Sequence, residues 1–179
     1  MPHLLTVSGS LRAGSSNAAL LAAAAELAPA GVTVSAYDEL GAIPAFSPDL
    51  EQAPAPVPPA VAHWRAALAA ADMILISSPE YAHGVPGALK NALDWVVGSG
   101  ELMGKPVGLL NASAASRFAH PQLVEVLTTM SAVVVPEATV LLDIPRRGVD
   151  AVRLAADPVL APALGAAVAA LVAAGSASR

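Results

Sequence analysis

Residues 4–17 read L-L-T-V-S-G-S-L-R-A-G-S-S-N, and residues 73–95 read M-I-L-I-S-S-P-E-Y-A-H-G-V-P-G-A-L-K-N-A-L-D-W. Each stretch begins with a short apolar run, Leu4–Val7 and Met73–Ile76. Runs of that length are too brief for helices and suit strands buried on both faces. Each then passes through a polar loop into a segment with helical apolar spacing. If these are the first and third strands of an open parallel sheet, their loops meet where strand order reverses. Ligands of such sheets bind in that crevice.

The remaining chain repeats the alternation. Ser15, Ser16 and Asn17 have N-cap chemistry, and Leu20, Ala24 and Leu27 follow at helical spacing until Pro29 and Gly31. Val32–Tyr37 alternates like a second strand. Between Ile43 and Pro59, prolines at 44, 48, 54, 56, 58 and 59 exclude helix interior and central strand. This segment is expected to be a surface excursion inside one domain spanning residues 1–179. Val61–Ala71 is an alanine-rich helix. Pro86 suits the first turn of the next one, whose stripe is Leu89, Leu93, Val96 and Val97, with Gly98 as its stop. Pro106–Asn111 reads as the fourth strand, Leu123–Met130 as part of a fourth helix, and Val133–Leu142 as a fifth strand interrupted by Pro136. Val159–Ala174, with Pro162 and Gly165, reads as a docked terminal helix too short to span a bilayer. Strand–helix alternation at this spacing predicts a doubly wound parallel sheet. No internal repeat is visible.

Composition narrows the function classes. With 55% hydrophobic and 13% charged residues over 179 positions, the chain is long and apolar enough for a buried core. A formal charge of −5 argues against nucleic acid and acidic membrane surfaces, which select basic faces. Cysteine is absent, which removes disulfide, thiol and thiolate-metal chemistry. The four histidines, at 3, 63, 83 and 120, have no ligand spacing with carboxylates. No basic leader precedes the first strand, so the expectation is a soluble, cytoplasmic protein.

The loop Gly9–Asn17 collects Ser10, Ser15, Ser16 and Asn17 with one cation, Arg12, ahead of a helix N-terminus. Helix-terminal N–H groups, hydroxyls and a guanidinium together suit a terminal phosphate. The same residues also describe an ordinary helix cap beside a solvated arginine. The pattern is neither G-x-x-x-x-G-K-S/T nor G-x-G-x-x-G, which weakens nucleotide triphosphates and direct dinucleotide binding. Pro79, Glu80, Tyr81, Ala82, His83 and Gly84 offer one aromatic and a run of backbone N–H groups, against which a flat ring with polar edges can lie. Their plainer readings are a solvated carboxylate, a packing tyrosine and a surface histidine. Lys90 and Asp94 are spaced to pair on a helix surface, and Trp95 suits either a core or an interface.

Together the two segments resemble the NADPH-dependent FMN reductase family of flavodoxin-like proteins, which includes quinone, azo-dye and chromate reductases. Its phosphate-loop pattern G-S-L-R-x-x-S-x-N is matched by Gly9–Asn17. Its P-E-Y-N and P-G-x-L-K-N-A-x-D-W are matched by Pro79–Tyr81 and Pro86–Trp95. Ile43-Pro44, Asp49-Leu50-Glu51 and Ala71-Asp72 also resemble family positions, and the likeness covers roughly residues 4 to 111. Ala82 stands where the family has asparagine. The loop Asn111-Ala-Ser-Ala-Ala-Ser-Arg117 lacks the family's glycines, leaving Ser113 as a candidate flavin contact.

The resemblance implies a flavodoxin-like three-layer α/β fold with a five-stranded parallel sheet in order 2-1-3-4-5. It also implies non-covalent FMN bound by Ser10, Arg12, Ser15, Ser16, Asn17, Pro79, Glu80, Tyr81, Ala82, His83, Gly84 and Ser113. NADPH or NADH would reduce the flavin and a small acceptor such as a quinone or free flavin would reoxidise it, with no side-chain acid or base required. A homodimer or homotetramer is expected, with Trp95 as a possible interface anchor. Arg117 is the expected ligand of the nicotinamide cofactor's phosphates, with Arg146 and Arg147 as competitors. The rival readings are an FMN-binding electron carrier or redox-sensing module, and a flavin-less interaction protein.

Overall fold

The computed structural model describes residues 1–51, 56–144 and 148–177. Five parallel strands form one sheet: β1 (His3–Ser8), β2 (Thr33–Tyr37), β3 (Met73–Ser77), β4 (Pro106–Asn111) and β5 (Val133–Leu141). Their order is β2-β1-β3-β4-β5, as expected from the strand–helix alternation and the resemblance. Registers such as Leu5↔Ser35 and Leu5↔Ile74 place β1 between β2 and β3, so the chain reverses its winding direction there.

Among the described residues seven α-helices flank the sheet: α1 (Ser16–Glu26), α2 (Pro48–Glu51), α3 (Pro59–Ala70), α4 (Gly87–Asp94), α5 (Ala119–Thr129), α6 (Ala151–Ala156) and α7 (Leu160–Ala177). One core, with Trp64, Leu68, Leu89, Leu93, Leu123 and Leu127, gathers α3, α4 and α5 against Leu5, Ile74, Ile76 and Leu109 of the strands. The other, with Leu20, Leu154, Leu164, Val168 and Leu171, gathers α1, α6 and α7 against Leu4, Met73, Leu75 and Leu110. The continuous apolar runs of β1, β3 and β4 are explained by this burial on both faces.

Several boundaries differ from expectation for identifiable reasons. Pro48 opens the short α2, where a missing N–H costs nothing, so the proline-rich excursion is not wholly irregular. The fifth strand is continuous in pairing with β4 on either side of an irregularity. Between Val107↔Val134 and Leu109↔Thr139, β4 advances two residues while β5 advances five, and Pro136 falls inside that bulge. α7 is longer than expected, because Pro162 sits in its first turn and Gly165 lies on open space. By length and composition its 18 residues could cross a bilayer. Leu164, Ala167, Val168, Leu171 and Gly175 are nevertheless buried in the protein. The helix α6, whose N-cap Asp150 accepts from the Val152 amide, is an element beyond those expected.

Candidate functional site

The carboxyl ends of β1, β3 and β4 open into a cavity of about 450 Å³, a size suited to ligands such as nucleotides and drug-sized molecules. Three loops build it. The first follows β1 at Gly9, whose amide donates to the Ser77 carbonyl at 2.8 Å. A Cβ at Gly9 would stand 2.6 Å from Ser78 Oγ, so only glycine lets the first two loops come this close. Arg12 donates from its backbone to Ser10 Oγ at 3.3 Å and from Nη2 to the Gly14 carbonyl at 3.3 Å. Ser15 then caps α1, its hydroxyl accepting from the Asn17 amide at 3.2 Å. Asn17 Oδ1 accepts from the Ser77 hydroxyl at 2.9 Å, which leaves its N–H groups as the donors it can offer. Ser10, Arg12, Ser15, Ser16 and Asn17 all line the cavity.

The second loop follows β3 and contributes Ser78, Pro79, Glu80 and Tyr81 to the lining. Tyr81 and Gly84 exchange two backbone hydrogen bonds, at 3.1 and 3.0 Å. Ala82 (φ 49°) and His83 (φ 59°) between them are both left-handed, the geometry of a type I′ turn. This turn carries Ala82, His83 and Gly84 away from the cavity lining. The His83 ring instead stacks on Phe118, centroids 4.3 Å apart. Tyr81 stays on the rim, 54% exposed.

The third loop follows β4 and contributes Asn111, Ala112, Ser113, Ala115 and Ser116. Asn111 Oδ1 accepts from the Ser113 amide and Nδ2 donates to the Ser116 carbonyl, both at 3.1 Å. Asp143 Oδ1 accepts from the Ala114 amide at 3.0 Å. Glu80 reaches across from the second loop, accepting from the amides of Phe118 at 2.6 Å and Ala119 at 2.8 Å and from the Ser116 hydroxyl at 3.4 Å. The Ala119 amide, followed by the Phe118 amide, His83 and Ser116, holds the Glu80 carboxyl below its ordinary range.

The structure therefore gathers Ser10, Arg12, Ser15, Ser16, Asn17, Pro79, Glu80, Tyr81 and Ser113 around one space, and leaves Ala82, His83 and Gly84 off it. Ser78, Asn111, Ala112, Ala115 and Ser116 also line it without having been singled out. The signal for Asn111 was present, an amide ending a strand whose other residues are all small or apolar. Arg117 is exposed beside Ser116, whereas Arg146 and Arg147 lie outside the described residues. Trp95 is fully buried and donates to the Pro44 carbonyl at 2.8 Å, so it is a core residue of its own protomer and not an interface anchor. Lys90 and Asp94 form the expected i,i+4 pair. Among the described residues no group of three or more His, Asp and Glu could hold a metal ion.

Residues 2–145 match the family described as NADPH-dependent FMN reductase. The chain belongs to that family. Among its relatives, an NAD(P)H-dependent FMN reductase of Pseudomonas aeruginosa is 42% identical over 113 residues, 62% of this chain and 60% of that protein. A quinone reductase of Escherichia coli K12 is 36% identical over the same shares. The aligned region thus spans about three-fifths of the length of these relatives. The flavoenzyme NAD(P)H:(acceptor) oxidoreductase of Paracoccus denitrificans has the same fold, with a TM-score of 0.75 at 24% identity over 99% of this chain and 98% of that one.

The donor set fits the FMN of this family. The phosphate end requires anion donors, met by the first turn of α1, the serine hydroxyls and Arg12. The ring requires a slot lined by backbone, met by the small residues Pro79, Ala112, Ser113 and Ala115 on facing loops.

Proposed function

We propose that the chain is an FMN-dependent NAD(P)H oxidoreductase that passes hydride through bound FMN to a quinone, a flavin or a similar small acceptor. The observation that carries this reading is the meeting of the Ser10–Asn17 helix terminus with the two later loops in one cavity at the topological switch point.

FMN, when bound, supplies the two-electron chemistry, and the chain supplies position and electrostatics. Arg12 and the first-turn N–H groups of α1 counter the phosphate charge, with Ser10, Ser15, Ser16 and Asn17 as its hydrogen-bonding shell. Backbone of the Pro79–Tyr81 and Ala112–Ser116 segments, Ser113 among them, would hold the ring. Ala82, His83 and Gly84 act at most through the turn that aims Tyr81. Tyr81, exposed on the cavity rim, would border the side from which nicotinamide and acceptor take turns. Arg117 is the cation proposed for the nicotinamide cofactor's phosphates.

The test is anaerobic mixing of the flavin-loaded protein with NADPH and with NADH. Loss of the oxidised flavin absorbance, recovered on adding a quinone, supports an enzyme. A flavin that neither nucleotide reduces supports the electron-carrier reading. The chain is also proposed to be one flavodoxin-like domain, cytoplasmic, and a homodimer or homotetramer. Exposed Val97 and Met103 beyond α4 are apolar residues available to such a contact. A monomeric mass in solution at micromolar protein would exclude the oligomer.

A further inference from the structure

We propose that Glu80 is a positioning residue, a clamp that holds the loop after β4 against the loop after β3 and thereby sets the width of the cavity between them. The inference rests on the FMN reading of that cavity. Its carboxylate accepts two backbone amides, Phe118 and Ala119, and the Ser116 hydroxyl. All three donors belong to the end of one cavity wall or the start of the helix behind it. Glu80 itself belongs to the opposite wall.

Three features make this more than a helix cap. First, α5 has no cap of its own, since the Phe118 side chain at the N-cap position can accept nothing from the following amides. The capping oxygen arrives from 38 and 39 residues away. By contrast Asp157 accepts from the Val159 and Leu160 amides, two and three residues on, so helix α7 is capped locally. A local cap satisfies a helix terminus equally well; a remote one also fixes the distance between two segments.

Second, the Ser113–Phe118 stretch contains no glycine and none of its residues has a positive φ. Its course is therefore not dictated by a special backbone conformation. It is held by side chains: Asn111 from the end of β4, Ser113 from within, Asp143 from beyond β5, and Glu80. Of these only Glu80 comes from the facing wall. Third, the same two segments are joined again on their outer side. His83 stacks on Phe118, and Gln122 Nε2 donates to the His83 carbonyl at 3.0 Å. Glu80 is the inner member of this seam.

The test compares Glu80→Ala, Glu80→Asp and Glu80→Gln with Asp157→Ala, which removes the same kind of cap far from the cavity. FMN dissociation constants are measured by fluorescence titration, and amide exchange of residues 113–119 is followed in the apoprotein. Glu80→Ala is expected to weaken FMN roughly tenfold or more, given two or three charge-assisted bonds lost. It should also speed exchange in 113–119. Glu80→Gln keeps an accepting oxygen and should stay within about threefold of the parent. Asp157→Ala should lower the melting temperature and leave FMN affinity alone. Should Glu80→Ala fail to fold, Glu80→Asp carries the test, because a side chain one methylene shorter cannot keep all three donors. Parent-like FMN affinity and exchange in the Ala or Asp variant would overturn the clamp, as would equal weakening by Asp157→Ala. A parent protein that binds no FMN defeats the functional reading instead, and exchange in 113–119 then decides the clamp alone.

Discussion

The hydroxyl of Ser77 donates to Asn17 Oδ1 at 2.9 Å across 60 residues of sequence. Ser77 is the last residue of β3 and fully buried, and Asn17 lies in the first turn of α1 and is 7% exposed. The helix end offered to a phosphate is thus referenced to the neighbouring strand. Ser77→Ala removes the donor and leaves a buried amide oxygen unmatched, at an expected cost of about 1–3 kcal/mol in urea unfolding. Asn17→Ala should add little on top of it in a double-mutant cycle. Additive losses would mean that the two residues act separately.

Arg12→Ala is expected to weaken FMN more than Lys90→Ala. Arg12 lines the cavity, whereas Lys90 is committed to Asp94 one helical turn on. Loss of a charge-assisted phosphate contact corresponds to roughly ten- to hundredfold in the dissociation constant. Equal constants for the two variants would remove Arg12 from the site.

Much of this fold was readable because its parts are local. The apolar runs Leu4–Val7 and Met73–Ile76 and the Ser15 cap each depend on neighbours in sequence, whereas the helix expected to stop at Gly98 already ends at Asp94. What was not readable depends on distant partners. Nothing near Glu80 says that its carboxylate will cap a helix beginning at Ala119. The type I′ turn at Ala82 and His83 was hidden because alanine is not a usual left-handed residue and no Asn-Gly or Asp-Gly pair marks the turn. Trp95 could have faced either way, and only the Pro44 carbonyl and the Phe46 ring, 5.2 Å away and edge-on, decide for the core.

The turn at Ala82 can be improved. An alanine at φ 49° bears the steric cost of the left-handed region, which asparagine tolerates better. Ala82→Asn is expected to raise stability by about 0.5–1 kcal/mol without altering FMN affinity, since residue 82 lies off the cavity. A destabilised variant would show that the turn differs in solution.

Two carboxylates should contribute to the acid limb of stability. The Leu160 and Val159 amides lower the Asp157 pKa, and the Ala119 amide leads the set that lowers that of Glu80. A depressed folded-state pKa contributes stability that is fully present above the unfolded value, about 4, and is lost as pH falls through the folded value. Melting temperature should therefore fall below about pH 4, and Asp157→Asn should flatten that fall. An unchanged acid profile in the variant would exclude Asp157 as a contributor.

The close approach of the first two loops makes the sharpest demand on a single residue. A Cβ at Gly9 would meet Ser78 Oγ at 2.6 Å, Ser78 Cβ at 3.0 Å and Leu89 Cδ2 at 3.1 Å. Rotating the serine away gives up its hydrogen bond to the Pro79 carbonyl, at 3.1 Å, and still leaves its Cβ in the way. The β3 loop must therefore move, carrying Pro79 and Tyr81 with it. Overpacking of this kind costs about 1–3 kcal/mol. Gly165 is the useful contrast. It lies within α7, a Cβ there would meet nothing within 4 Å, and alanine is the better helix former by about 0.5–1 kcal/mol. Gly9→Ala should lower both stability and FMN affinity, while Gly165→Ala should raise stability and leave FMN binding as it was. If Gly9→Ala binds FMN like the parent, the two loops are not held in register by this contact.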